Sequence, residues 1–285
     1  MWARCLWRLG DAHASTIPAL HALGAARSVW AYELQRPVEL LQRDITAKPF
    51  WESNELPAAQ ALEAAYETIL AELRSLRQAG KDSDAAAEAE LSPVPPMEDS
   101  ATSKVGFSQY RSPVVSSGAW KDFQFFASCR KDVAHCAACP ATAAAIAACP
   151  GINSMIFGSS FFSALAPGTH LDAHCGPSNL RLRVHLGLEV PDGCRIRVGT
   201  ETRAWEAGKC LIFDDSFEHE VWHEGDEERI VLICDLWHPD VNLEEMIHPL
   251  LDAEQVEDLE AAQRGEHQGL AERGYSTGER VKREP

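Results

Sequence analysis

From about residue 105 the chain reads as short apolar runs bounded by Gly and Pro, the pattern of a β-rich domain. Strands are expected near 154–164, 180–190, 194–199, 209–214, 219–223 and 229–236. In 180-LRLRVHLGL-188 side chains of an extended strand point alternately to opposite faces. Leu180, Leu182, Val184, Leu186 and Leu188 therefore share one face, and Arg181, Arg183, His185 and Gly187 the other. The segment 226-DEERIVLICDLWHP-239 repeats the pattern more weakly, with Ile230, Leu232, Cys234 and Leu236 together behind Arg229.

Upstream, 55-ELPAAQALEAAYETILAELRSLRQAG-80 places Leu62, Tyr66, Ile69, Leu73 and Leu76 at helical spacing, and Gly80 is the expected stop. Residues 81–104 are acidic, alanine-rich and then proline-rich, which predicts a loose connection or surface insertion. Beyond 243 the sequence predicts one or two acidic helices and a disordered basic tip. No internal repeat is visible. The expected architecture is mainly β: a barrel or double-sheet jelly roll, which answers the problem of exposed sheet edges, with helices before and after it. Three stretches follow from this: a lead-in at 1–35, a main domain at 36–242 and a tail at 243–285.

Composition narrows the function classes. A chain of 285 residues, 45% hydrophobic, can bury one sizeable core. Its formal charge of −17 argues against binding nucleic acid, which needs a basic footprint, and against an anionic membrane surface. No run approaches the ~20 apolar residues of a spanning helix, so a soluble protein is expected, cytoplasmic or organellar. The first residues carry Arg4, Arg8 and Arg27 against Asp11; an ordinary leading helix and an organelle transit peptide are both readings of that stretch.

There are nine cysteines. Cys175, Cys194, Cys210 and Cys234 fall among apparent strands and read as small buried hydrophobes. Cys129, Cys136, Cys139 and Cys149 cluster with His135, and loop disulfides, free thiols and a structural zinc all remain open for them.

Candidate chemistry gathers in 168-GTHLDAHCGPSNLRLRVHLGLE-189 and 205-WEAGKCLIFDDSFEHEVWH-223. The polar face of the 180–188 strand is cationic or small in an acidic protein, which predicts an anion pocket. His174 after a turn, His219 45 residues later and Arg229 ten beyond that match the arrangement of Fe(II)/2-oxoglutarate oxygenases on a double-stranded β-helix. There, imidazoles and usually a carboxylate hold iron with open positions, and an arginine takes the far carboxylate of the 2-oxo acid. A carboxylate ligand is expected at position 176, where the chain has Gly176. His170 and Asp172 read as surface polars in a loop, His223 and His238 as locally hydrogen-bonded, Trp237 as core and Asp214 as a loop cap.

The run from FFSALAPGTHLDAHCGPSNLRLRVHLGL through LIFDDSFEHEVWH to ICDLWHP closely resembles the aspartyl/asparaginyl β-hydroxylase family, over roughly residues 155–240, with a weaker echo in 36-RPVELLQRDITAKPFW-51. The resemblance implies a double-stranded β-helix (jelly-roll, cupin-like) fold and Fe(II), 2-oxoglutarate and O2 as cofactors. It implies iron held by His174 and His219 alone, with a small residue such as Gly176 where the carboxylate would stand. Ser163 and Arg229 would bind the distal carboxylate of 2-oxoglutarate. Arg183 and His185 would line the pocket by the keto-acid head and the substrate, and Asp215 would orient the site. The implied reaction hydroxylates the β carbon of an aspartyl or asparaginyl residue in a protein or peptide, with 2-oxoglutarate decarboxylated to succinate.

Phe161 and Phe162 stand before Ser163 where peptide-hydroxylating animal members would have a more polar, lysine-bearing pair. A small molecule or lipid is therefore an alternative substrate, with hydroxylation or halogenation as the reaction. A catalytically silent jelly-roll binding module is a third reading.

Overall fold

A computed structural model gives the fold. The structure describes residues 32, 34–88, 105–110 and 112–270. Residues 1–31 of the lead-in, 89–104 of the acidic and proline-rich connection and the tip at 271–285 lie outside the described residues.

Two antiparallel sheets face each other. The larger runs in the order β1 (Phe50–Trp51), β11 (Cys210–Phe213), β8 (Arg181–Glu189), β13 (Arg229–Trp237), β6 (Ser159–Leu165), β4 (Trp120–Ala127) and β2 (Ser108–Gln109), with β5 (Arg130–Lys131) paired to β4. The smaller runs β10 (Glu201–Ala204), β9 (Cys194–Val198), β12 (His219–His223), β7 (His170–His174) and β3 (Val115–Ser117). This is the jelly-roll architecture expected from the sequence.

The alternation of β8 decides which side is which. Leu182, Val184, Leu186 and Leu188 pack outward with Ile230, Leu232, Cys234 and Leu236 of β13 against Leu62, Ile69, Leu73 and Ile146 of the covering helices. The inner faces meet through Phe161, Leu165, Val231 and Ile233 from one sheet and Leu171, Ile196, Val198 and Val221 from the other. The polar face of β8 therefore points between the sheets rather than to water. Buried polar groups in such a place need partners or a ligand.

The helical stretch upstream differs from the reading in two ways. It breaks at Ala65 into α1 (Pro57–Ala64) and α2 (Tyr66–Glu88), with Leu62, Ile69 and Leu73 fully buried. And it does not stop at Gly80: the glycine costs about 1 kcal/mol in a helix interior, while the three alanines and the glutamate of 84-DAAAE-88 favour continuation. The first residues of the expected loose connection are thus helical.

The cysteine cluster resolves toward free thiols. Cys129, Cys136, Cys139 and Cys149 are all unpaired, around α3 (Val133–Ala138) and α4 (Pro140–Ala147). Burial pushes the thiols of Cys129, Cys136 and Cys139 up to about 12, so they stay protonated. His135 stacks on Phe123 at 3.9 Å and its Nδ1 donates to the Gln124 carbonyl at 2.8 Å.

The tail's first part is docked on the body. Leu259 and Ala262 of α5 (Ala253–Gln263) are buried with Met155, Ile156 and Trp237. Asp258 accepts from Nε and Nη2 of Arg130 at 2.9 and 2.8 Å, a buried bidentate pair.

Candidate active site

His174 closes β7 and His219 opens β12, and the two are direct cross-strand partners. This pairing brings together residues 45 apart, with ring centroids 4.1 Å from each other. Each Nδ1 donates to a backbone carbonyl two residues earlier: His174 to Asp172 at 2.7 Å and His219 to Phe217 at 2.9 Å. That places the single hydrogen of a neutral imidazole on Nδ1 and leaves Nε2 with its lone pair. Burial pushes both rings down in pKa, and the neighbouring His174 helps take His219 to about 3. Two neutral imidazoles with oriented Nε2 lone pairs are a fitting donor set for a divalent transition metal. Among the described residues, no group of three or more His, Cys, Asp or Glu side chains comes together as a metal site.

Position 176 shows why no carboxylate follows His174. A Cβ added at Gly176 would fall 2.4 Å from Cγ of Asp215 and 2.5 Å from both its carboxylate oxygens, and the Gly176 N–H donates to the Asp215 carbonyl at 2.6 Å. Asp215 fills the space that a longer residue 176 would need.

The opposite wall belongs to the larger sheet. Ser163 of β6, Arg183 and His185 of β8 and Arg229 of β13 line the same cavity as His174 and His219, with Leu171, Ile196, Val221 and Ile233 as apolar walls. All six site residues named from the sequence thus meet at one cavity.

The cations of this wall are not alike. Arg181 pairs with Asp215 at 2.7 Å and Asp235 at 3.0 Å. Arg183 pairs with Asp235 at 2.8 Å and lies 3.8 Å from Asp215. One buried and one half-buried cation are balanced by two buried anions. The anion pocket expected from the whole β8 face is therefore corrected: Arg181 and Arg183 are internally neutralised. Burial would raise the Asp215 carboxyl, but Arg181 and Arg183 overcome it and hold it down at about 2.

Arg229 differs. It is 2% exposed, its Nε is buried without a hydrogen-bond partner, and its Nη2 reaches only Ser163 Oγ at 3.3 Å. No carboxylate pairs with it among the described residues, and burial pushes its pKa down to about 10. Ser163 Oγ also accepts from Trp120 Nε1 at 3.0 Å. With two donors on its oxygen, the hydroxyl hydrogen is left for a ligand.

Sequence reasoning missed several neighbours. Asp235 sits within the apolar run of β13, where nothing marks it until β8 is laid alongside and Asp235 falls opposite Arg183. Trp120 and Trp205 were not singled out, although their indole N–H groups bond Ser163 and His185. His170 and Asp172, read as loop residues, are on β7. There His170 bonds Glu220 at 2.9 Å and stacks on Trp222, a network apart from the cavity. Asp214 accepts from Ser216 N at 2.9 Å, as a loop cap does. His223 bonds the nearby Glu227 carbonyl at 2.7 Å, but His238 reaches Thr46, far along the chain, at 2.8 Å.

The chain is 57% identical over 81 residues to mouse "Aspartyl/asparaginyl beta-hydroxylase", a match covering 28% of this chain and 11% of that protein. It is 50% identical over 93 residues to mouse "Aspartate beta-hydroxylase domain-containing protein 2", covering 32% of this chain and 27% of the relative. The chain thus spans a minor part of the length of these relatives. A predicted oxalate decarboxylase from Thermotoga maritima aligns at a TM-score of 0.32 and 10% identity, over 47% of this chain and 95% of that one. The model for the "Aspartyl/Asparaginyl beta-hydroxylase" family matches residues 63–239, from the last turn of α1 through β13, and the chain belongs to that family.

Proposed function

We propose that the chain is an Fe(II)- and 2-oxoglutarate-dependent oxygenase that hydroxylates the β carbon of an aspartyl or asparaginyl residue in a protein or peptide. One observation carries the reading: an unpaired, buried Arg229 stands across a single cavity from two neutral imidazoles whose Nε2 lone pairs are free. A ligand that is anionic at one end and chelating at the other suits both walls. The name of the mouse relative, aspartyl/asparaginyl beta-hydroxylase, supports the choice of target residue.

In this reading His174 and His219 hold the metal, and the carbonyls of Asp172 and Phe217 keep their rings aimed. Arg229 receives the distal carboxylate of 2-oxoglutarate with its fork of donors, and the Ser163 hydroxyl adds a third. Arg183 and His185 line the wall nearer the keto-acid head, with Asp235 holding Arg183 in place. Leu171, Ile196, Val221 and Ile233 keep water from the reacting groups. When bound, iron and the 2-oxo acid supply the oxidation: one oxygen atom of O2 enters the substrate C–H bond and the other enters succinate, with release of CO2.

The test is an anaerobic titration of the metal-free chain with Fe(II) and then 2-oxoglutarate, followed by visible charge-transfer absorption. A band is expected in the wild type, absent in His174→Ala and weakened in Arg229→Ala. No band from folded wild-type protein would remove the oxygenase reading. With a band established, aspartyl and asparaginyl peptides are assayed for a mass gain of one oxygen, with chloride dependence as the check for halogenation.

A further inference from the structure

Three imidazoles line the cavity, and they are not presented alike. His174 and His219 donate from Nδ1 to backbone carbonyls and keep a lone pair on Nε2. His185 meets a donor instead. Trp205, which follows β10 on the smaller sheet, reaches across so that its Nε1 lies 3.2 Å from Nδ1 of His185. The two ring planes are nearly parallel, 8° apart, with centroids at 5.9 Å. An indole nitrogen has a hydrogen and no acceptor lone pair. His185 Nδ1 must therefore be the acceptor, and a neutral ring then carries its hydrogen on Nε2.

That Nε2 is buried and finds no hydrogen-bond partner among the described residues. Burial, with Arg229 and Arg183 nearby, keeps the ring neutral. The same indole also lies against Arg229, whose Cζ is 4.7 Å from the ring centroid, a cation–π distance. Trp205 thus touches two of the cavity groups that have an unspent donor, His185 through its N–H and Arg229 through its face.

We propose that Trp205 is a positioning residue that fixes His185 as the Nε2–H tautomer, so that His185 and Arg229 together offer only donor hydrogens to the cavity. The wall then selects groups that only accept, such as carboxylate and keto oxygens, and disfavours amide or amine analogues that bring hydrogens of their own. The identity of the ligand rests on the reading given under Proposed function; the tautomer does not.

The experiment uses the full chain labelled with 15N-histidine, with long-range 1H–15N correlation spectra recorded without ligand. The His185 signals are those lost in His185→Gln. Trp205→Phe keeps a ring against Arg229 and removes the N–H. In the wild type His185 is expected as the Nε2–H form; in Trp205→Phe it moves to a mixture or to the Nδ1–H form. Calorimetry on the Mn(II)-loaded chain is expected to show 2-oxoglutarate binding weakened about tenfold by that substitution, as for one lost buried hydrogen bond. Trp205→Leu, which also removes the ring face from Arg229, is expected to weaken it further.

A wild-type His185 found as the Nδ1–H form overturns the proposal, and this needs no Trp205 variant to fold. So does an unchanged tautomer in folded Trp205→Phe. If the tautomer shifts as expected but the wild type binds no 2-oxoglutarate, the ligand reading falls and the role of Trp205 in setting the ring stands.

Discussion

A side chain at position 176 would have to share space with the Asp215 carboxylate, whose atoms lie 2.4–2.5 Å from where its Cβ would be. Gly176→Asp therefore cannot simply add a third ligand beside His174 and His219. It displaces Asp215 and strips Arg181 of one of its two anions. The variant is expected to lose about 1–3 kcal/mol of stability from overpacking and to gain no metal affinity. Thermal unfolding and a metal titration check this; a stable, tighter-binding variant would contradict it. Arg229 carries the opposite kind of cost. Holding its charge unpaired in the interior is unfavourable, as the fall in its pKa to about 10 shows. Arg229→Met is expected to make the ligand-free chain about 1–2 kcal/mol more stable, and to abolish stabilisation by 2-oxoglutarate. Denaturant melts with and without the acid read both effects. At this scale the sequence was most legible where motifs were long. The two histidines, Ser163, Arg183, His185 and Arg229 were all named from it: His174 and His219 in the GTHLDAH and IFDDSFEHE stretches, Arg183 and His185 by strand alternation, Arg229 by its spacing from His219, and Ser163 through the family resemblance. Asp235 and Trp205 were not, because each acts on a residue distant in sequence, and only strand register or a crossing between sheets reveals the partner.

Between elements, the central feature is the four-charge cluster that β8 and β13 share with the loop after β11. Register sets Asp235 of β13 opposite Arg183 of β8, and Asp215 joins from the turn before β12. The Asp215 carboxyl is held at about 2 by Arg181 and Arg183 against the effect of burial, below the ordinary carboxylate value of roughly 3.9. A carboxyl lowered on folding contributes its stability fully above the unfolded value, and the contribution fades as pH falls from about 4 to about 2. Asp215→Asn leaves Arg181 and Arg183 short of an anion and is expected to cost about 3–5 kcal/mol at pH 7. The gap to wild type should narrow by about 2–3 kcal/mol between pH 5 and pH 2. Urea melts across that range measure it; a pH-independent gap would show that Asp215 is not the titrating anion. Element prediction succeeded where a strand has one apolar face, as in β8, β9, β12 and β13. It failed at β7, where HLDAH offers Leu171 as its one large apolar side chain, and at the end of α2, where Gly80 did not outweigh the helix formers around it.

Over the whole molecule, a β core closed as a barrel or double-sheet jelly roll, with helices before and after it, was expected from the order of apolar runs and turns. What could not be read was how the flanks attach. The tail is pinned by Arg130 and Asp258, residues 128 apart, and Gln35 reaches the loop before β12 through Asp214 and Ser216. Pairings at that separation leave no local periodicity to find. The division of the cavity between the sheets has a mechanical meaning. His174 and His219 hang from the smaller sheet, while Ser163, Arg183, His185 and Arg229 stand on the larger. A chelate gripped at both ends is then a crossbeam between two panels that otherwise meet chiefly through apolar contact. With the proposed function, such bracing would make metal and 2-oxo acid reciprocal partners in resisting heat. Mn(II) and 2-oxoglutarate added together should raise the melting temperature beyond the sum of their separate shifts, by about 2–4 °C for each kcal/mol of coupling. Simple additivity would mean that the panels are loaded independently; a surplus would make the melting point of the sandwich a gauge of whether both of its halves are engaged at once.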